Sequence, residues 1–141
     1  DDLIIKKNCS KEMIKVHNKY KCSVMASMKV NKKTVSRWGI YKLGKKLNNL
    51  DYYINDVIEK PKIHEAPSNK AVIGRYILPK NIFRTISNLK PGVGGEIHIT
   101  DAIRKLILQN NKFIAHNFKG KYLDCGSMHG YVKSGIEISK I

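Results

Sequence analysis

LKPGVGGEIHITDAI, Leu89 to Ile103, sets Gly92, Gly94 and Gly95 just ahead of a helical pattern. A glycine turn that opens a helix is a common cradle for phosphate, and the kind of cradle decides the fold. A P-loop needs GxxxxGK followed by Ser or Thr, and this stretch has no lysine or hydroxyl at that spacing. A dinucleotide fingerprint needs GxGxxG directly after a strand, whereas residues 79–88 read as a short helix begun by Pro79. Glu96 follows the glycine pair, and its carboxylate repels phosphate at close range. The helix starts later, with Thr100 as the expected N-cap and Asp101 in the first turn, where it favours the dipole. The glycines are therefore expected to turn the backbone tightly and to present Glu96 to a hydrogen-bond donor.

On either side the patterns alternate between the two periods. Ile103, Leu106 and Ile107 fall on one face of a helix over residues 100–109. Upstream, AVIGRYIL at residues 71–78 is a short, β-branched apolar run, which reads as a buried strand. Residues 21–30, 38–43 and 52–60 read as further strands, the last stopped by Pro61. NKKT at 31–34 is an expected turn and LGKKLNN at 43–49 an expected loop or hairpin tip. Helices are expected over 10–19, with Ser10 as N-cap, and over 126–141; short strands are expected at 113–118 and 122–123. Strands and helices mixed in this way predict one α/β domain with a mixed sheet over residues 1–141.

The 141 residues are enough for one core, and 42% apolar content excludes disorder throughout. No run of 18 apolar residues occurs, so no spanning helix and no membrane partner is expected. The formal charge of +16 raises a basic nucleic-acid-binding module as a rival reading. Against it, lysine supplies 23 of the 27 cations and is scattered, while arginine, the better fork for phosphate, supplies four. No specific nucleic-acid partner is therefore expected. Cys9, Cys22 and Cys125 are far apart and odd in number, which fits reduced thiols in a cytoplasm. The five histidines are scattered and give no metal spacing. The opening residues, Asp1 to Ile5, read as a strand end, and the chain as a piece of a longer protein.

IEKPK (58–62), EAPSNKAVIGRYIL (65–78), PGVGGEIHITDAI (91–103) and LDCGSMHGYVKS (123–134), in that order and spacing, resemble the C-terminal half of bacterial UTP–glucose-1-phosphate uridylyltransferases. The opening Asp1-Asp2-Leu3 resembles the LPDD segment of that family. The resemblance implies a Rossmann-like nucleotidyltransferase fold, present only as its sugar-binding half. It implies an enzyme that joins UTP and glucose 1-phosphate into UDP-glucose and pyrophosphate with magnesium. The related glucose-1-phosphate thymidylyltransferases are the alternative within the class. The family's glycine-rich GxGxR segment, in the N-terminal half, is absent, so this chain alone is expected to be inactive. Assembly into a homo-oligomer is expected of the full-length protein.

Residue by residue, the resemblance makes Asp1 and Asp124 magnesium ligands, Glu59 the acceptor for sugar hydroxyls and Lys60 the catalytic cation on the sugar phosphate. It lays the backbone of Gly39 against the sugar and places Asn69, Tyr76 and Glu96 around the same pocket. The family usually has Tyr where Trp38 stands and Gln where His98 stands. The chemistry of these types agrees. An ionised Glu only accepts, as two vicinal hydroxyls require, and Lys is a compact charge for a phosphate oxygen. Asp carboxylates are hard donors suited to magnesium. Neighbours on a regular strand point to opposite faces, so Glu59 and Lys60 can serve one ligand only at a strand end.

Overall fold

The computed structural model describes residues 2–141, which leaves Asp1 outside. Strand β1 (Asp2–Ile5) leads into helix α1 (Cys9–Tyr20). The helix starts earlier than Ser10, because the Asn8 side chain accepts from the Lys11 N–H and caps it. Its buried stripe, Cys9, Met13 and Val16, has the i, i+4, i+7 spacing of one face. Strand β2 (Ser23–Lys29) follows, then a 3-10 helix (Lys32–Arg37) where the sequence suggested only a turn. The Asn31 side chain caps it by accepting from the Lys33 N–H.

Strands β3 (Gly39–Lys46) and β4 (Asp51–Glu59) form a hairpin, so the expected loop at 43–49 is in part strand. Strand β5 (Lys70–Ile77), short helix α2 (Ile82–Ser87) and helix α3 (Ile99–Leu108) come next. Thr100 is not the N-cap of α3: it lies buried within the first turn, and His98 holds the cap position without a side-chain bond. Strands β6 (Phe113–Asn117) and β7 (Lys121–Asp124) precede α4 (Met128–Ile138), which the Ser127 side chain caps by accepting from Gly130.

Five strands pair in a closed ring, in the order β2-β5-β3-β4-β6. The β2–β6 pairing is parallel and the others are antiparallel, so the sheet is mixed as expected. The β3–β5 contact is a single pair, Ile40 opposite Ala71. Strands β1 and β7 form a separate antiparallel ribbon. Side-chain alternation sends Met25 and Val72 to one core with Tyr41, Ile103 and Phe113, under α3, and Val24, Ala26 and Ile73 to another with Met13, under α1. Apolar cover on both faces is why β5 reads as a continuous apolar run. Among the described residues, no helix is long and apolar enough to cross a membrane.

One polar cluster crosses this core. His116 on β6 meets Asp51 Oδ1 through Nδ1 at 2.6 Å and Glu12 Oε2 through Nε2 at 3.2 Å. It ties α1 to β4 and β6, and Asp51 also accepts from the Asn48 amide.

Candidate functional site

The start of β3 and the end of β4 lie side by side, with Gly39 directly opposite Glu59. A cavity of about 250 Å³ opens there. Gly39, Glu59, Val72 and Tyr76 line it from the sheet; Arg37 and Trp38 from the end of the 3-10 helix; His98, Ile99 and Thr100 from the start of α3. Gly39 lets the sheet approach closely. A Cβ on it would stand 3.0 Å from Glu59 Oε2 and from Val72 Cγ2, and 3.3 Å from Thr100 Cγ2.

Glu59 is half-buried, and its charge is felt across the cavity. Burial first, then the carboxylates of Glu59 and Asp2, push the Tyr76 hydroxyl up to about 12. Tyr76 therefore stays a neutral donor and acceptor beside an acceptor-only carboxylate. Trp38 closes one wall, packed edge-on against Tyr122 with ring centroids 5.9 Å apart. A pocket with an aromatic wall, a carboxylate and a phenol suits a polyhydroxyl ligand.

Lys60 follows Glu59 where the strand ends. Its backbone is in the left-handed region, φ 44, its N–H donates to Trp38 O at 3.0 Å, and the residue is exposed and not part of the cavity lining. His98 accounts for the glycine loop: its Nε2 lies 2.8 Å from Val93 O, and a carbonyl only accepts, so that nitrogen donates. Gly94 and Gly95 both have positive φ, as the tight turn requires. Glu96 is exposed, 3.9 Å from the His98 ring, and not in the lining. Asn69 is held elsewhere: its side-chain amide donates to Val30 O and its backbone carbonyl accepts from the Val30 N–H, so it joins the start of β5 to the end of β2.

A second cavity of about 560 Å³ adjoins the first at Arg37 and includes Asp124, Tyr122, Lys121 and Lys133. Asp124 stands opposite Asp2 in the β1–β7 ribbon. Facing like charges repel. Here each has its own guanidinium: Arg75 Nη1 is 2.8 Å from Asp2 Oδ1, and Arg37 Nη2 is 3.8 Å from Asp124 Oδ2. The Arg75 contact is close but misaligned, and Asp2 Oδ1 stays buried without a hydrogen-bond partner among the described residues. Burial, then Asp2 and Asp124, push the Tyr122 hydroxyl up to about 12.

Carboxylates are the donor type that a hard cation takes, and this pair is the candidate among the described residues. Magnesium takes one or two carboxylates and completes its shell with phosphates and water. Asp2 Oδ1 is ion-paired to Arg75 at 2.8 Å, whereas Asp124 Oδ2 meets Arg37 only at 3.8 Å, so Asp124 is the freer donor of the two. No group of three or more metal-ligating His, Cys, Asp or Glu side chains occurs among the described residues. Asp1 lies outside the described residues. Sequence reading singled out neither Arg37 nor Asp2; Arg37 is two residues before Gly39 in SRWGI, a proximity that could have flagged it.

Known proteins share this architecture. The nucleotidyl transferase family profile matches residues 1–140. UTP–glucose-1-phosphate uridylyltransferase of Pseudomonas aeruginosa strain PAO1 is 43% identical over 124 residues, 88% of this chain and 44% of the relative. Its counterpart in Staphylococcus saprophyticus is 36% identical over 142 residues, 97% of this chain and 47% of the relative. A UDP-glucose pyrophosphorylase solved with UDP-glucose superposes with a TM-score of 0.91 at 42% identity, over 99% of this chain and 53% of that one. The UTP-bound enzyme of Acinetobacter baumannii gives 0.80 at 29% identity, over 97% and 47%. The chain thus spans about half the length of the relatives it matches. With the family profile running over nearly every residue and the mixed α/β fold shared with UDP-glucose pyrophosphorylases, the chain belongs to the nucleotidyl transferase family.

Proposed function

We propose that this chain is the sugar-phosphate side of a UTP–glucose-1-phosphate uridylyltransferase, its C-terminal half. The observation that carries the reading is the Gly39–Glu59 pairing, a carboxylate set where backbone can lie flat against a ligand. Similarity at 43% and 36% to enzymes of that name supports the uridylyl rather than the thymidylyl reading.

In the proposed reaction an oxygen of glucose 1-phosphate attacks the α-phosphorus of UTP in line, and pyrophosphate leaves. No protein nucleophile is needed, so positioning and charge carry the acceleration. Glu59 accepts from sugar hydroxyls, Tyr76 stays protonated beside it, and Lys60 meets the phosphate at the cavity's rim. Glu96 and Asn69 act through the loop and strand that frame the cavity. Asp124, with Asp1 or its neighbour Asp2, would hold magnesium, which neutralises phosphate charge when bound. Nucleotide binding belongs to sequence beyond this chain. The reading places the protein in carbohydrate metabolism and the cytoplasm, in keeping with three free cysteines. It also implies homo-oligomers of the longer protein.

Saturation-transfer NMR with UDP-glucose tests the reading on this chain. Transfer to glucose-ring protons is expected, and its loss with Glu59→Ala. Equal signals from the two proteins would refute the site.

A further inference from the structure

We propose that Arg37 is a phosphate-binding cation that Asp124 holds in reserve until a ligand arrives. The inference rests on the sugar-phosphate reading above and adds to it a residue that nothing in the family resemblance singles out. Arg37 is the cation that lines both cavities, and it stands where they meet. One cavity carries Glu59 and Tyr76, groups suited to hydroxyls. The other carries Lys121 and Lys133. Of these, Lys121 is already engaged by Glu137. A sugar phosphate seated with its ring against Gly39 would have Arg37 in the wall of the same cavity, on the side shared with the second.

The state of the guanidinium fits a reserve. Its contact with Asp124 is 3.8 Å, an ion pair too long to be a hydrogen bond. The Arg37 side chain is 63% exposed, so its fork is open to an incoming anion. Asp124, by contrast, is fixed, since its Oδ1 accepts from the Gly126 N–H at 2.9 Å and its carbonyl accepts from Ser134. A fixed carboxylate facing a loosely held arginine keeps the cation near the cavity without spending its hydrogen bonds. Arginine suits this task because its planar fork takes two phosphate oxygens at once.

The test is calorimetry on this chain, without metal and with EDTA, using glucose 1-phosphate and methyl α-glucoside. Arg37→Gln should weaken glucose 1-phosphate roughly tenfold, the worth of a charge-assisted contact, and leave the neutral glucoside unchanged. Asp124→Asn should free the arginine and tighten glucose 1-phosphate by about twofold to fivefold, the range of an exposed ion pair. In the Arg37→Gln background that gain should vanish. Plain repulsion between Asp124 and phosphate would give the same gain in both backgrounds, and that result overturns the proposal. So does a phosphate affinity indifferent to Arg37→Gln while Glu59→Ala still abolishes binding, an outcome that leaves the sugar site intact. If wild-type protein binds neither ligand, the sugar-phosphate reading fails and this inference fails with it.

Discussion

Gly39 and Glu59 face each other across the β3–β4 ladder, so closely that any Cβ on Gly39 would stand 3.0 Å from the Glu59 carboxylate. Gly39→Ala therefore presses hardest on two of its three close neighbours, which differ in stiffness. The Glu59 tip can swing away, whereas Val72 is β-branched and packed in the core. We expect a stability loss of about 1 kcal/mol in urea unfolding. We also expect weaker UDP-glucose binding, because the carboxylate that swings is the one the sugar needs. Unchanged affinity in calorimetry would show that the ligand does not use this wall.

Glu59→Ala should cost more binding than Glu65→Ala. Glu59 lines the cavity, while Glu65 sits in a turn with only loose pairings to Lys62 at 3.8 Å and His64 at 3.6 Å. Loss of a hydrogen bond to a charged group costs about 1.5–3 kcal/mol. Equal effects of the two substitutions on UDP-glucose affinity would displace the sugar from this cavity.

Lys60 occupies backbone that glycine would adopt more easily, at φ 44. Lys60→Gly should leave the urea midpoint level or slightly raised, while Lys60→Ala should keep the strain and lower it slightly. Both should weaken UDP-glucose binding equally, because both remove the ammonium. Binding that follows stability instead of charge would assign Lys60 a purely structural role. Lys21, also left-handed, caps α1, so such geometry does not by itself mark a functional lysine.

Tyr76 gives the site a signature at high pH. Its hydroxyl is pushed from 10.0 to about 12 by burial, then by Glu59 and Asp2. A folded value above the unfolded one contributes stability that is fully present below about pH 10. That stability fades as pH rises toward 12, by about 2 kcal/mol at most. Tyr76→Phe should flatten this part of the stability-against-pH curve. Ultraviolet titration should show one late-ionising phenol fewer, and loss of an ordinary phenol near pH 10 instead would remove Tyr76 from the carboxylates' reach.

Local pattern made much of this fold legible and left the site half-written. AVIGRYIL could be read as a strand because both of its faces are covered. LGKKLNN was harder, since Lys45 and Lys46 extend β3 at an exposed end where no apolar alternation marks a strand. Thr100 has capping chemistry yet is drawn into the core beside Gly39, tertiary packing overriding propensity. Glu59 and Gly39, both flagged by their motifs, line one cavity. Asn69, equally part of a motif, spends its amide on Val30, which no local rule reveals. Arg37 and Asp2 gain their meaning only from partners 87 and 73 positions away in the chain.

The buried His116 carries the last prediction. Both ring nitrogens face carboxylates, Asp51 at 2.6 Å and Glu12 at 3.2 Å, and the ring and Asp51 are almost wholly enclosed. Taking away the imidazole leaves two carboxylates in a space with too few donors. Removing one partner of a buried hydrogen bond leaves the other unsatisfied at a cost of about 1–3 kcal/mol, and more where that group is charged. His116→Phe should therefore lower the unfolding free energy by about 3 kcal/mol, and adding Asp51→Leu and Glu12→Leu should recover a large part of it. The sugar site should not notice. Asp51 and Glu59 are the two ends of β4, roughly 27 Å apart along an extended strand. Folded His116→Phe protein should bind UDP-glucose with wild-type affinity. A triple variant no more stable than the single one would mean that the carboxylates are not what destabilises it, and that the ring's packing is what matters.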